Sequence, residues 1–581
     1  MKLEKIGVEN MLLIEKEIAS IFDKMVEKSF EGVEGLREID IQPATNDKFG
    51  DFQTNFAMMN SKIIGNNPRA IATQLLEGFY ENEIIEKLEI AGPGFINIYL
   101  KEEFLGSRVA KMGTEKYDYS FLDTKGDVII DYSSPNIAKR MHIGHLRSTI
   151  IGDSIKRIYN HLGYHTVADN HIGDWGTQFG KLIVGYRNWL DNDAYKVDPI
   201  GELERIYVKF SVESENNKEL EDQARFELKK LHDGDEENYR LWKEFIEVSL
   251  KEYDKVYKRL DIEFDTYYGE SFYHDMMPDV IKELKEKEIA VESEGAQVVF
   301  FPEETKLNPC LVQKSDGAFL YATSDLATVK YRKENYDVNK LVYVTDERQQ
   351  DHFKQFFAIT EMLGWNVEKD HVWFGIMRFA DGIFSSRKGN VIKLEELLDE
   401  AKKRALEVVN EKNPTLSDEE KLNIAEIVGT GAVKYADLSQ NRQSAIIFEW
   451  DKILSFEGNT GPYLQYTYAR IQSILRKGKE NGKDLDENIE VKLGEKAEKG
   501  LVLYMNQFPT AILKASTTYK PNLITDYLYE LAKKFNTFYN ACPILNQEDE
   551  ILYSRLLVAD RAAKTLKEGL ELLGMKTVDR M

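Results

Sequence analysis

Two hydrophobic rhythms alternate along this chain, and their order predicts its architecture. From residue 126 the run GDVIIDY is short, apolar and β-branched, the pattern of a strand buried on both faces. After the loop SSPN, apolar residues return at helical spacing: Leu146, Ile150, Ile151, Ile155, Ile158 and Leu162 form one stripe, and Gly163 is placed to cap it. The strand-like YHTVADN follows and completes a strand–helix–strand unit. The scheme recurs as KLVYVTD, the helical QQDHFKQFFAITEML and a strand expected at HVWFGIM. Alternation of this kind predicts a doubly wound α/β domain, with ligands beyond the carboxyl ends of parallel strands.

The flanks read differently. Residues 1 to about 115 mix amphipathic helices, the first expected from the opening MKLEKIGVENMLLIEKEIASIF, with the strand-like end AGPGFINIYL. In that strand Phe95, Asn97 and Tyr99 share a face, and the whole predicts a small α+β unit. The α/β domain is expected over 116–400, interrupted near 190–300 by a Glu/Lys-rich helical insertion. A helical connector at 401–450 and an all-α bundle at 451–581 close the chain, the bundle containing YLQYTYARIQSILRK and ITDYLYELAKKFNTFYN.

A length of 581 residues calls for several cores, and 42% hydrophobic with 30% charged residues is ordinary globular usage, so a multidomain enzyme is the starting expectation. No apolar stretch approaches the roughly 20 residues of a membrane helix, and the acidic opening does not suit a signal or transit peptide, so a cytoplasmic protein without membrane association is expected. Cys310 and Cys542 lie far apart without a Cys-x-x-Cys companion, which argues against a disulfide framework, a structural zinc or a cysteine nucleophile; no protein-bound metal is expected. The net charge of −23 weighs against a nucleic-acid partner only in the far field, because a local Lys/Arg stripe decides contact.

Candidate chemistry concentrates in DYSSPNIAKRMHIGHLRST, where the first predicted strand passes into its helix. Free N–H groups and the positive end of the helix dipole favour phosphate at such a place. His142 and His145 fall on one side of the turn, and Gly144 leaves room for a nucleotide. There is no Gly-x-x-x-x-Gly-Lys-Ser/Thr loop and no Gly-x-Gly-x-x-Gly after the first strand, so P-loop and ordinary dinucleotide readings have no support.

His-Ile-Gly-His in this position resembles the signature of class I aminoacyl-tRNA synthetases, and the flanks SSPNIAK and LRS resemble the arginyl enzymes in particular. GDFQTNFAM and AGPGFIN are similar to that family's N-terminal tRNA-binding domain. NHIGDWGTQFG, LYATSDLA and YVTDERQQDHF are similar to its catalytic core, and YARIQSILRK and GLELLGMKTVDRM to its anticodon-binding domain. The resemblance implies a Rossmann-like catalytic domain and an arginine–tRNA ligase. Such an enzyme activates L-arginine with ATP to arginyl-adenylate and pyrophosphate, then passes arginine to the terminal ribose of arginine tRNA, with activation waiting on bound tRNA. Mg²⁺ would arrive on the ATP phosphates, and a monomer is the family expectation. The alternatives are a class I synthetase of another specificity and a catalytically silent RNA-binding relative.

By the same resemblance, His142, Gly144 and His145 hold ATP. GIFSSRKGNVIKL resembles the family's Lys-Met-Ser-Lys-Ser loop, with Ile383 and Ser386 in place of its lysines and with Ser385 and Ser386 against ATP. The cation that offsets leaving-group charge must then be Lys139, Arg387 or Lys388, with Lys139 preferred. Asp131, where the family more often has Glu, and Asn136 are expected beside the α-amino group. Tyr321 and Asp325 are expected at the guanidinium, and Gln349 helps orient the substrate. Phe95 and Asn97 match positions that meet the tRNA elbow, while Arg470, Arg476 and Lys477 would offer phosphate contacts.

Overall fold

The computed structural model describes residues 10–379 and 392–581. Its centre is a four-stranded, wholly parallel sheet in the spatial order Glu368–His371, Val338–Tyr343, Asp127–Asp131, His165–Asp169. Register aligns Asp131 with Asp169 on one side and with Tyr343 on the other, and Tyr343 with His371, so these four residues share the carboxyl edge. The chain order reverses between Asp127–Asp131 and Val338–Tyr343, and a crevice opens at such a switch point.

Alternation along the strands feeds two cores. Val128, Ile130 and Val342 pack with the helix Ile143–His161, while Ile129, Val167 and Leu341 pack with the helices Met277–Glu286, Tyr321–Asn335 and Gln350–Met362. All six residues of the predicted stripe from Leu146 to Leu162 are buried, and Gly163 follows the helix at φ +92°.

Three expectations change in detail. The strand expected at HVWFGIM is split: Glu368–His371 completes the central sheet, then the chain bends and Met377–Phe379 pairs in parallel with Ile446–Phe448. Its aromatic residues belong to the bend, where Val372 and Phe374 are buried, so apolar character there marks packing and not extension. The insertion is helical only in part. The helices between Thr177 and Leu260 give way, after Met277–Glu286, to a three-stranded antiparallel sheet of Ala290–Ser293, Ala296–Val299 and Cys310–Gln313. Glu294 and Gly295, at φ 53° and 79°, make its first turn, a conformation that the acidic composition of VESEG conceals. At the start, the first helix is Ile14–Ser29, and Met11 instead bridges Tyr117 in parallel.

The N-terminal unit pairs the strands Ile41–Pro43, Phe52–Thr54, Phe95–Leu100 and Ile85–Ala91 in that spatial order, all antiparallel, with helices packed against them. From Leu394 the chain is helical apart from Ile446–Phe448, and the helices Gly461–Glu480, Asn522–Ala541 and Asp549–Leu572 pack into a bundle. Buried Arg108 ties the two ends together, binding Glu17 at 2.5 Å and the side chain of Asn506. Cys310 and Cys542 are buried and unpaired. Among the described residues no helix is long and apolar enough to cross a membrane.

Candidate active site

The loop that leaves Asp131 turns sharply, with Ser133, Ser134 and Ala138 all at positive φ (74°, 47° and 62°). Such backbone is costly for non-glycine residues and persists only where the surroundings over-determine it. Here they do. The Ser133 N–H donates to Ser148 Oγ at 2.9 Å, the Ser134 N–H to Asn170 Oδ1 at 3.1 Å and the Ala138 N–H to Ser249 Oγ at 2.9 Å. Tyr253 donates its hydroxyl to the carbonyls of Asn136 and Lys139 at 2.7 and 2.9 Å.

The loop delivers His142 to the N-cap of the helix Ile143–His161. Gly144 N–H donates to His142 Nδ1 at 3.0 Å and His142 N–H donates to His145 Nδ1 at 3.1 Å, a reciprocal cap built from two imidazoles whose rings lie 3.9 Å apart. A ring nitrogen that accepts from an amide carries no proton, so both histidines, when neutral, hold theirs on Nε2, where it can act as a donor. Charge on either ring is disfavoured by burial first and then by Lys139; for His145, whose pKa falls to about 3, the neighbouring His142 adds to it. The pair is thus two neutral N–H donors at a helix N-terminus. A Cβ on Gly144 would come within 2.7 Å of the His142 ring, so glycine is required for this packing.

Lys139 lies beside the pair, its Nζ 4.5 Å from the ring centroid of Tyr207 on the insertion helix Pro199–Ser214. The backbone of Ile392–Leu394 runs antiparallel to the signature turn: Ile143 N–H donates to Ile392 O at 3.2 Å and Leu394 N–H to Met141 O at 2.9 Å. Ser385, Ser386, Arg387 and Lys388 lie outside the described residues.

Across the carboxyl edge the chemistry turns acidic. Asp325, on the helix Tyr321–Asn335, binds His352 Nε2 at 2.5 Å. Burial works against charge on His352, but the Asp325 carboxylate outweighs it and raises its pKa. Tyr321, at the start of that helix, is 74% exposed and senses the charge of Glu270. Glu270 begins the turn after Gly269; burial, joined by Asp174 and Asp325 and opposed by His171, moves its pKa up to about 7. Asp174 fixes that turn by accepting from Ser271 N–H at 2.8 Å and from Ser271 Oγ at 2.6 Å. Glu270 thus lies within electrostatic reach of both Asp325 and Tyr321, and an acidic cluster of this kind suits a cation.

The structure gives Asp131 a partner that the sequence does not show. Asp131 is not a free carboxylate: buried Arg332 donates one Nη2 to Asp131 Oδ2 at 2.7 Å and to Asp169 Oδ2 at 2.6 Å. Asp131, Asp169 and His171 have the spacing of a metal site, yet a guanidinium nitrogen already bonds both carboxylates. Glu270, His352 and Arg332 were missed because they come from three segments joined only by folding. A partial signal existed: Glu270 sits in Gly-Glu-Ser between two aromatic stretches, an acid in an otherwise apolar context. Asn136 is exposed at the loop tip, bridged to Gly173, where a Cβ would come within 2.2 Å of Asn136 Oδ1. Gln349 is exposed in the turn Glu347–Gln349, three residues before His352.

The remaining candidates lie elsewhere. Phe95 is 37% exposed on the N-terminal sheet, while Asn97 is buried and accepts from Gln53 Nε2 at 2.6 Å. Arg470 and Arg476 share a concavity of about 410 Å³ with Arg580; Arg470 also lies over the Tyr539 ring, and Lys477 is exposed on the same helix.

Three family models cover nearly the whole chain: the class I tRNA synthetase (R) catalytic domain over residues 109–450, the arginyl tRNA synthetase N-terminal domain over 14–100, and the DALR anticodon binding domain over 464–581. The arginine–tRNA ligase of Fusobacterium nucleatum is 66% identical over 571 residues, covering 98% of this chain and all of that protein. This chain belongs to the arginyl-tRNA synthetase family. The Chromobacterium violaceum arginine–tRNA ligase is 43% identical over 555 residues, covering 93% of this chain and 96% of that protein. Among solved structures, arginyl-tRNA synthetase from Plasmodium falciparum superposes with a TM-score of 0.82 at 31% identity, covering 99% of this chain and 100% of that one. The Thermus thermophilus enzyme gives the same TM-score at 23% identity over 98% of this chain and 100% of that one, a likeness of fold. The neutral histidine pair and the acidic cluster thus occupy the catalytic segment of an arginyl-tRNA synthetase family member.

Proposed function

We propose that this chain is an arginine–tRNA ligase that joins arginine to its tRNA through an arginyl-adenylate. The observation that carries the reading is the pairing of a helix N-terminus capped by two neutral histidines with the acidic cluster of Glu270 and Asp325 in one catalytic segment. In the first step a carboxylate oxygen of arginine attacks the α-phosphorus of ATP and the bond to pyrophosphate breaks. In the second, the terminal ribose hydroxyl of the tRNA attacks the adenylate carbonyl and AMP leaves. No protein nucleophile is needed, because phosphoryl chemistry of this kind is positioning plus neutralisation of charge on oxygen.

Each group has a task in this scheme. The Nε2–H groups of His142 and His145, with the helix N-terminus behind them and Gly144 between, bind ATP phosphate oxygens without adding a charge that would have to be desolvated. Lys139 supplies the cation, joined by Arg387 and Lys388 with Ser385 and Ser386 from the second signature. Mg²⁺ belongs to the ATP; the donors around the turn suit phosphate oxygens better than direct metal ligation. Asp325 and Glu270 face the guanidinium with Tyr321 beside them. Asn136 and the oxygen of Asp131 not bound by Arg332 meet the α-ammonium, and Gln349 orients the substrate.

For tRNA, residues 1–115 would take the elbow through Phe95, with Asn97 holding the strand through Gln53. The connector 401–450 and bundle 451–581 would take the anticodon arm, where the concavity of Arg470, Arg476 and Arg580 suits phosphates. We assign the 116–400 domain, insertion included, to catalysis, and expect a cytoplasmic monomer. Arginine-dependent exchange of labelled pyrophosphate into ATP, with and without arginine tRNA, tests the reading. Exchange that appears only with tRNA supports the ligase and its tRNA-dependent activation; none in either condition, from a folded sample, refutes it.

A further inference from the structure

The helix that carries the histidine pair is gripped from behind by the C-terminal half of the chain. Arg147, two residues past His145 on the same helix and so on a different face of it, is 1% exposed, as is its partner Asp437 on the helix Asp418–Leu438. Its Nε donates to Asp437 Oδ2 at 2.9 Å. Its Nη1 donates to the carbonyls of Gly375 and Ser444 at 2.5 and 3.2 Å, and its Nη2 to that of Arg442 at 3.2 Å. One guanidinium therefore joins the signature helix, the bend before Met377–Phe379, and the turn after Asp418–Leu438.

A second arginine closes the same knot from the other side. Arg442 donates to Trp373 O, its carbonyl accepts from Gly375 N–H at 2.9 Å, and its Nε donates to Tyr519 O at 2.9 Å. Tyr519, at φ 52°, ends the helix Phe508–Thr518 in the bundle. The bend 373–376 leads into the strand Met377–Phe379, which is paired along its length with Ile446–Phe448 and precedes the second signature in the chain. The signature helix and the 373–379 segment are thus both registered against one short stretch, 437–448, of the C-terminal half.

A buried ion pair is a poor device for stability, since well-packed apolar side chains often serve as well, but it is a demanding device for geometry. The five N–H groups of arginine point in fixed directions, and four acceptors must be in place together. For a reaction that depends on placing phosphates between two signatures, a displacement of about 1 Å costs on the order of 10²-fold in rate. We propose that Asp437, acting through Arg147, is a positioning residue that holds the signature helix in register with the 373–376 bend and so sets the ATP end of the site. The inference rests on the ligase reading above.

The test uses full-length Asp437→Asn, which keeps the side chain's shape and removes its charge, with Asp437→Glu as the conservative variant. Pyrophosphate exchange is measured in the presence of arginine tRNA, with KM for ATP and for arginine taken separately, tRNA affinity by filter binding and folding by near-UV circular dichroism. We expect Asp437→Asn to lose at least tenfold in kcat/KM for ATP, with KM for arginine and tRNA affinity within twofold of wild type, and Asp437→Glu to recover part of the loss. Wild-type exchange from Asp437→Asn, or an equal fall in arginine and tRNA binding, would overturn the proposal. If Asp437→Asn does not fold, Arg442→Lys is held to the same criteria; failure of both to fold also overturns it, since the knot would then serve folding alone. Wild-type enzyme run alongside separates the two readings: absence of exchange there refutes the ligase assignment itself.

Discussion

Replacing His145 with asparagine separates its two jobs. The Nδ1 of His145 accepts the His142 N–H at 3.1 Å, which leaves the proton of the neutral ring on Nε2 as a donor. Asparagine can place an amide oxygen near the Nδ1 position but has nothing at Nε2. The cap, worth about 1 kcal/mol when lost altogether, should survive, so the unfolding midpoint in urea should stay close to wild type. The Nε2–H donor is gone, and removal of one preorganised donor to developing negative charge costs about 2.7–4 kcal/mol, or 10²–10³-fold in rate. Pyrophosphate exchange with saturating tRNA should fall by that factor while tRNA affinity holds. Alanine, which loses both functions, should show the same kinetic deficit plus the stability loss. Because the His145 pKa lies at about 3, the wild-type activity profile should show no limb from this residue above about pH 4. An asparagine variant keeping more than a tenth of wild-type exchange would refute the assignment of His145 as a phosphate donor.

Other consequences are as direct. Glu270, with its pKa raised to about 7, is ionised above that pH and protonated below it, so KM for arginine should climb as pH falls from 8 to 6; Glu270→Gln should have a high KM that is flat with pH, and a wild-type slope retained in the variant would exclude it. Gly173→Ala places a Cβ within 2.2 Å of Asn136 Oδ1 and should raise KM for arginine with little change in KM for ATP, measured by exchange. Removing Arg332 by Arg332→Met strands two buried carboxylates and should destabilise the fold by about 3–5 kcal/mol at neutral pH. Burial already raises the Asp131 pKa against the pull of Arg332, and a raised carboxylate favours folding at acid pH and loses that contribution as pH rises through its folded-state value. The Arg332→Met deficit in chemical denaturation should therefore be larger at pH 8 than at pH 5, and the reverse order would refute it. Lys139→Ala should lower exchange at least tenfold if Lys139 is the cation at pyrophosphate; full activity there, with Arg387→Ala inactive, would move that charge to the second signature.

Local physics, written in the order of residues, determined a good part of this protein. Short β-branched runs beside helical stripes were enough to predict the parallel sheet, because a strand buried on both faces and a helix buried on one leave different periodicities. GDVIIDY, YHTVADN and the stripe from Leu146 to Leu162 came out as expected, and the His-Ile-Gly-His turn lies at the helix N-terminus where its spacing placed it. Tertiary structure decided whatever depends on meetings between distant segments. That Asp131 shares buried Arg332 with Asp169 is invisible in the sequence, because Arg332 lies 201 residues away. Glu270 gains its raised pKa from burial in the folded chain, joined by Asp174 and Asp325, and Arg147 reads as one more helix residue until Asp437 and three backbone carbonyls converge on it. Periodicity records which face of an element is buried; it carries no information on what lies across from a buried charge. A charge's energy is set by those partners, through Coulomb terms that act in space and are blind to separation along the chain.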